Sequence, residues 1–162
     1  MWSSGPAEYR AAAPGDTAAD VVIVGAGFTG LWTAYYLLGA DPSLRVTVVE
    51  QEHAGFGASG RNGGWCSALF PVSAATLARE HGHDAAAAHY AAMRESVAEV
   101  VRVAATEGID ADIAVGGTVV LARSQPQLDR ARAEVAEARE FGIELDLLDA
   151  DAARRRLNAT SV

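Results

Sequence analysis

Three glycines stand at the spacing G-x-G-x-x-G directly after a short apolar run, in the stretch DVVIVGAGFTGLW. They are Gly25, Gly27 and Gly30. The first glycine permits a sharp turn, the second leaves room for a pyrophosphate to approach the backbone, and the third lets the following helix pack close to the preceding strand. The phosphates would face the unpaired N–H groups and the positive dipole end of that helix. The pattern predicts a phosphate-binding turn, with a plain β-α turn that binds nothing as the alternative.

An acidic residue completes this pattern. Glu50 lies twenty residues past Gly30, at the end of a second apolar run. A carboxylate in that position can accept hydrogen bonds from the ribose hydroxyls of an adenosine, and it would repel a 2′-phosphate, which disfavours NADP. By itself the motif fits FAD and NAD equally.

A second glycine-rich loop follows soon after Glu50, in GFGASGRNGGWCSALF, with five glycines among residues 55–64. So much glycine gives a mobile chain unless a ligand or neighbouring backbone orders it. Arg61 adds a permanent positive charge, and Ser59 and Asn62 add neutral hydrogen-bonding groups. This composition next to the ribose-binding acid suits a long, extended cofactor better than NAD. A flexible surface loop is the alternative.

The surrounding pattern predicts the elements that position these loops. Residues 21–24 and 45–49 are short β-branched runs, and the first is expected to be a strand buried on both faces. Residues 31–38 between them show a helical apolar face, and Pro42 with Ser43 predicts a turn. This β-α-β order predicts a parallel pair of strands. A less regular segment extends to Pro71.

The remainder of the chain is predicted to be mostly helical. Residues 83–107 form a long helix ended by Gly108, with one buried stripe that comprises Tyr90, Met93, Val97, Val100, Val101 and Ala104. The spacing of Ser124 and Gln127 is that of a capping box, and it predicts a helix that runs to Phe141. Asp149 is expected to cap a last helix that reaches Leu157. Strands are predicted over residues 118–122 and 143–148.

Composition narrows the possible partners. The chain has 162 residues, one domain or one and a fraction, and its formal net charge of −8 argues against a nucleic-acid partner. No apolar stretch approaches the roughly 20 residues of a membrane span. The single cysteine, Cys66, excludes an internal disulfide and favours a reducing, cytoplasmic compartment. Cys66 is expected to be a small buried residue beside Trp65, with a reactive thiol as the alternative.

The histidines offer one further candidate site. His81, His83 and His89 lie near one another, and His-x-His can bind a metal ion. No further ligand follows at a suitable spacing. We therefore expect solvated histidines at helix ends and no metal site.

The segments DVVIVGAGFTGLWTAYYL, VTVVE and GASGRNGG resemble the FAD-dependent amine and amino-acid oxidoreductases of the D-amino-acid oxidase superfamily, and most of all its gamma-glutamylputrescine oxidase-like branch. The resemblance is sharp over residues 20–70 and weaker beyond. It implies oxidation of a C–N bond in a small-molecule amine or amino acid, with hydride transfer to FAD and reoxidation by oxygen.

The resemblance also implies cofactor-binding residues, position by position. Glu50 matches the ribose acid, and the loop before it and the loop after it match segments that contact FAD. The matching loop residues are Gly25, Ala26, Gly27, Phe28, Thr29, Gly30, Ser59, Gly60, Arg61, Asn62, Gly63 and Gly64. Some relatives attach FAD through a histidine near the second loop. Because no histidine is found there, noncovalent FAD is expected.

The implied fold class is α/β: a Rossmann-like FAD-binding β-α-β unit, then a long helix and the start of an α+β substrate domain. We expect a flexible leader over residues 1–19, the N-terminal part of the FAD-binding domain over 20–110, and the beginning of a truncated substrate domain over 111–162. Family members are more than twice as long, so the chain is expected to be an N-terminal fragment, and the catalytic residues are not identified. An NAD-dependent dehydrogenase and a noncatalytic nucleotide-binding module remain alternatives.

Overall fold

A β-α-β unit comes first in the structure, a computed structural model that describes residues 9–13 and 15–157. Strand β1 (Val21–Val24), helix α1 (Phe28–Ala40) and strand β2 (Val46–Val49) follow in that order. The two strands pair in parallel, with Val21 opposite Val46 and Val24 opposite Val49. The predicted strand-helix-strand order and the parallel pairing are confirmed, and the α/β class with them. The predicted leader, residues 1–19, lies partly outside the described residues.

Strand β1 differs from the prediction in its burial. It was expected to be buried on both faces, but Val22 is 59% exposed and Val24 is 86% exposed. Their neighbours Val21 and Ile23 are partly buried. The reason is that the sheet has two strands across the part of the chain that the structure describes, and α1 contacts it without covering both faces.

Helices dominate the rest of the chain. They are α2 (Ala74–His81), α3 (His83–Thr106), α4 (Gln125–Glu140) and α5 (Ala150–Arg156). The long helix, the helix after Ser124 and the short helix after Asp149 are confirmed within one or two residues. Helix α2 lies in the part of the chain that was predicted to be mostly helical, but it was not predicted as a separate helix. Its signal was Ser73, whose hydroxyl accepts a hydrogen bond from the Thr76 N–H at 3.2 Å, as an N-cap does.

The two predicted strands at residues 118–122 and 143–148 are wrong. Within the described residues both segments lack regular secondary structure, and the only ladder is the one between β1 and β2. A strand is defined by hydrogen bonds to a neighbour, so a run of apolar residues is not sufficient where the described chain provides no neighbouring strand. Val120, at 85% exposure, has little to pack against.

Two finer expectations also need correction. In the predicted stripe of α3, Ala104 is buried and the other five residues are only half-buried, whereas Ala86 and Val103, which lie outside the stripe, are also buried. At the start of α4 the Ser124 side chain caps nothing; instead the Gln127 Oε1 accepts from the Arg123 N–H at 2.7 Å. The helix therefore begins where it was predicted. Of the two hydrogen bonds of a capping box, only the one to the Gln127 side chain is present, and its donor is the N–H of Arg123 instead of that of Ser124.

The chain divides into two compact units, Met1–Trp65 and Cys66–Val162. We call them the loop unit and the helical unit. The core of the helical unit is built around Phe141, which is 6% exposed, together with the buried Ala74 and Ala86. Tyr90 packs against this cluster and its hydroxyl donates to the Val72 carbonyl at 2.7 Å. Among the described residues, no helix is long and apolar enough to cross a membrane.

Candidate functional site

The first glycine loop makes a tight turn between β1 and α1. Gly25 has a φ of +98°, a conformation that glycine adopts without strain. A Cβ at Gly30 would lie 2.1 Å from the Gly25 carbonyl oxygen, so only glycine allows α1 to approach the turn this closely. The sharp turn expected at Gly25 and the close packing expected at Gly30 are both present.

Glu50 joins the end of β2 to this turn. Its Oε2 accepts from the Ala26 N–H at 2.9 Å, and its Oε1 accepts from the Glu52 N–H at 3.1 Å. These hydrogen bonds, the one from Ala26 first, hold the pKa of the Glu50 carboxyl below its usual value. Glu50 is therefore ionised at neutral pH, and each oxygen has a further lone pair to offer a ligand.

The second glycine loop docks on the first. The Gly55 N–H donates to the Ala26 carbonyl at 2.9 Å, and the Phe28 N–H donates to the Ser59 Oγ at 3.0 Å. A Cβ at Gly60 would lie 2.1 Å from the Gly55 carbonyl oxygen, so the loop also folds tightly on itself. Neighbouring backbone thus orders this loop, and it is not a free surface segment.

The end of the second loop is arranged around Asn62 and Arg61. The Asn62 Nδ2 donates to the Ser59 carbonyl at 2.7 Å, and its Oδ1 accepts from the Gly64 N–H at 2.7 Å. The Arg61 guanidinium lies 4.2 Å above the ring of Phe56, in a cation–π contact. Arg61 is exposed, and no carboxylate of the described chain pairs with it.

The first turn of α1 retains open hydrogen-bond donors. Within the described residues, neither the Thr29 N–H nor the Gly30 N–H donates to a protein acceptor, whereas the Phe28 N–H is used by Ser59. Such N–H groups and the helix dipole favour a bound anion. The loop unit therefore brings a helix end with open N–H donors, an ionised carboxylate and a guanidinium onto two adjoining loops.

Not every predicted site residue joins this arrangement through a contact. A Cβ built at Gly63 would have no neighbour within 4 Å. Gly64 contributes only its N–H group, which donates to the Asn62 Oδ1. Sequence analysis gave no role to Gly55 and overlooked Phe56. The signal for Gly55 was its position five residues before Gly60, where the loop closes on itself.

The other candidate residues lie in the helical unit. Cys66 is exposed, and its neighbour Trp65 is 70% exposed, so the expectation of a small buried cysteine is wrong. Neither residue has a core to enter, because residues 64–70 form no helix or strand. His83 stacks on Phe141 with ring centroids 4.8 Å apart. Among the described residues, no three His, Cys, Asp or Glu side chains are grouped to hold a metal ion.

Comparison with known proteins agrees with this geometry. Residues 20–161 match the DAO family model, described as FAD dependent oxidoreductase. The chain is 35% identical to the gamma-glutamylputrescine oxidoreductase of Escherichia coli K12 over 140 residues, which are 85% of this chain and 32% of the relative. It is 52% identical to the “Probable oxidoreductase OrdL” of Haemophilus influenzae over 46 residues, 28% of this chain and 10% of that protein.

The chain thus spans 32% of the length of the first of these curated relatives. No solved structure matches the chain. The family match covers the β-α-β unit, both glycine loops and the helical unit up to residue 161. The chain belongs to the DAO family of FAD-dependent oxidoreductases.

Proposed function

We propose that the two glycine loops bind the adenosine diphosphate half of FAD without a covalent link. The observation that carries this proposal is the pair of open N–H groups on Thr29 and Gly30 at the start of α1. They directly follow the turn to which the ionised Glu50, at the end of β2, is hydrogen-bonded. A phosphate needs such donors, and a ribose diol needs such an acceptor.

The backbone around the first turn has the shape that this ligand needs. Gly25 has no neighbour within 4 Å of its potential Cβ, so the turn is open on that side. In the proposed arrangement the pyrophosphate lies against the α1 end, the ribose hydroxyls donate to Glu50, and Arg61 neutralises part of the phosphate charge. The residues proposed to form the FAD site are Gly25, Ala26, Gly27, Phe28, Thr29, Gly30, Glu50, Ser59, Gly60, Arg61, Asn62, Gly63 and Gly64.

We further propose that the chain is the FAD-binding portion of an enzyme that oxidises the C–N bond of a small amine or amino acid. Bound FAD would supply the acceptor for a hydride from the substrate carbon; the resulting imine would be hydrolysed by water, and oxygen would take up the two electrons as hydrogen peroxide. This chain's own residues hold and orient the cofactor. In the proposed division, residues 20–110 belong to the FAD-binding domain and residues 111–162 begin the substrate domain. With a single cysteine, a cytoplasmic location is proposed as well.

The two alternative functions are less well supported. The family is FAD-dependent, and residues 74–106 form two helices where a simple NAD-dependent dehydrogenase would continue with alternating strands and helices. A noncatalytic nucleotide-binding module would keep the loop unit and lose turnover. It would therefore be distinguished from the enzyme by the turnover of the whole protein and not by FAD binding of this chain.

One experiment tests binding, attachment and turnover together. The purified chain is titrated with FAD, with ADP and NAD as competitors, and Gly27→Val is titrated in parallel. We expect FAD and ADP to compete for one site, NAD to compete weakly, and Gly27→Val to bind at least about tenfold more weakly, because a branched side chain fills the space proposed for the pyrophosphate. A chain that prefers NAD, or a variant that binds FAD normally, contradicts the proposed site.

The same samples report attachment and chemistry. Acid precipitation should release yellow flavin into the supernatant, and colour retained in the pellet would contradict noncovalent binding. With a panel of amines and amino acids, the chain is expected to form no peroxide above the Gly27→Val control, because catalysis requires a substrate carbon held against the flavin and the chain spans 32% of its relative. FAD-dependent peroxide formation would show that these residues are catalytically sufficient.

A further inference from the structure

Helix α1 is capped differently from two other helices of this chain. In α2 the N-cap Ser73 supplies its own hydroxyl to the Thr76 N–H at 3.2 Å, and in α5 the N-cap Asp149 accepts from the Ala152 N–H at 2.7 Å. The N-cap of α1 is Gly27, which has no side chain to offer. The missing oxygen comes from Ser59, 31 residues beyond Phe28, whose N–H it accepts at 3.0 Å.

A local cap at Gly27 would conflict with this arrangement. A Cβ at that position would lie 3.0 Å from the Ser59 Oγ, closer than side chains normally approach. A serine at Gly27 would therefore have to displace Ser59, and its side chain would also narrow the space proposed for the pyrophosphate. The acceptor from the second loop satisfies one N–H group of the helix end, that of Phe28, and leaves the N-cap position without a side chain.

The position of Ser59 is itself fixed by its surroundings. It lies in a short 3-10 turn, Ala58–Gly60, and its carbonyl accepts from the Asn62 Nδ2 at 2.7 Å. A second tie, from the Gly55 N–H to the Ala26 carbonyl at 2.9 Å, joins the same two loops. The Ser59 hydroxyl is thus presented to α1 by a loop whose backbone is restrained at both ends of the turn.

We propose that Ser59 is a positioning residue: its hydroxyl caps α1 from the second loop and presets the phosphate turn before FAD binds. This inference rests on the proposed FAD function for its consequence, though its structural part is independent of any ligand. By taking the Phe28 N–H, Ser59 orients the first turn of α1 so that the Thr29 and Gly30 N–H groups remain available. The loop that follows Glu50 thereby acts on the loop that precedes it.

The test compares Ser59→Ala, Ser59→Thr and the matched control Ser73→Ala, which removes an ordinary serine cap from α2. Amide hydrogen exchange at Phe28 is measured by NMR without FAD, and FAD affinity is measured by titration. A lost N-cap typically costs about 1 kcal/mol, so we expect Phe28 exchange to be about fivefold faster in Ser59→Ala and FAD binding to be weaker by a similar factor. Ser59→Thr, which keeps the hydroxyl, should restore both, and Ser73→Ala should change neither.

A double-mutant cycle with Gly27→Ala sharpens the result. In the wild-type background the added methyl meets the Ser59 Oγ, and in the Ser59→Ala background that atom is gone. The loss of thermal stability from Gly27→Ala, measured without FAD, should therefore be smaller in the second background. Additive losses would contradict the contact on which the inference depends.

The outcomes separate this inference from the proposed function. Unchanged Phe28 exchange in Ser59→Ala, in a chain that binds FAD normally, overturns the capping role alone. Faster exchange with unchanged FAD affinity overturns the positioning role and leaves Ser59 a structural cap. A wild-type chain that binds no FAD overturns the proposed function, and the positioning role with it.

Discussion

The loop unit and the helical unit are stabilised in opposite ways. In the described part of the loop unit, Ala26 is the one buried hydrophobic residue, and the unit is joined by hydrogen bonds from backbone N–H groups to Glu50, Ser59 and the Ala26 carbonyl. In the described part of the helical unit, which ends at Leu157, seven hydrophobic residues are buried, among them Phe141 and Val103. The loop unit depends on glycines whose lack of a side chain lets backbone segments come into contact. The helical unit depends on apolar side chains that fill a core.

This difference predicts opposite responses to mutation. In the loop unit the most damaging changes should add a single methyl group, since the backbone segments are already in contact at Gly30 and Gly60. In the helical unit the most damaging changes should remove carbon atoms. Changes of charge should matter most where a carboxylate accepts backbone N–H groups, which is the situation of Glu50.

The largest effect is expected from Gly30→Ala. Its methyl carbon would lie 2.1 Å from the Gly25 carbonyl oxygen, so α1 must move away from the turn. We expect a loss of more than about 4 kcal/mol of folding free energy in the loop unit, at the upper end for a single substitution, and no measurable FAD binding. Chemical denaturation and FAD titration measure both.

The same helix supplies the control. Gly39 lies in α1 with nothing within 4 Å of its potential Cβ. Gly39→Ala should therefore stabilise the helix by up to about 1 kcal/mol and leave FAD affinity unchanged. If Gly30→Ala and Gly39→Ala changed the folding free energy equally, the backbone at Gly25 would have to move at little cost, and the close approach at Gly30 would be unimportant.

Phe141→Ala should have the next largest effect, in the helical unit. Phe141 is 6% exposed and packs with Ala74 and Ala86, so its removal leaves a cavity that small neighbours cannot fill. We expect a loss of about 3 kcal/mol, measured by denaturant unfolding, with the Phe28 amide exchange of the loop unit unchanged. Leu69→Ala, at a site 65% exposed, is the control and should cost little. If both variants cost the same, the helical unit has no specific core at Phe141.

The same contrast explains what the sequence predicted well. The turn at Gly25 and the parallel pair depend on residues within one β-α-β unit, where each spacing has a local physical cause. The predicted strands over residues 118–122 and 143–148 depend on partners elsewhere, and a run rich in apolar residues does not specify a partner. The Ser59 cap was also beyond prediction, because no local pattern relates a hydroxyl to an N–H group 31 residues away.

The smallest effect should be the pH dependence that Glu50 gives to the loop unit. The hydrogen bonds from Ala26 and Glu52 lower the pKa of Glu50 below its ordinary value of 4.5. A carboxyl with a lowered pKa in the folded state stabilises the fold above its ordinary pKa, and the contribution is lost as the pH falls through the lowered pKa. Glu50→Gln removes the charge and keeps the shape. The thermal midpoint of the variant should therefore be a few degrees below that of the wild type at pH 7, and the gap should close in acid.

The difference in thermal midpoint between the wild type and Glu50→Gln reports on Glu50 and not on the other carboxylates. Asp20, bonded to Arg45, and Asp41, bonded to Ser43, also have lowered pKa values, but they are present in both proteins and cancel. Glu52→Gln is the matched control, because Glu52 contributes its backbone N–H and not its carboxylate to these contacts. A gap between wild type and Glu50→Gln that stayed constant from neutral pH into acid would mean that the carboxylate charge does not contribute to joining β2 to the first glycine loop. The loop unit would then be stabilised by its other contacts, and the hydrogen bonds from Ala26 and Glu52 would not favour the charged form of the proposed ribose acceptor.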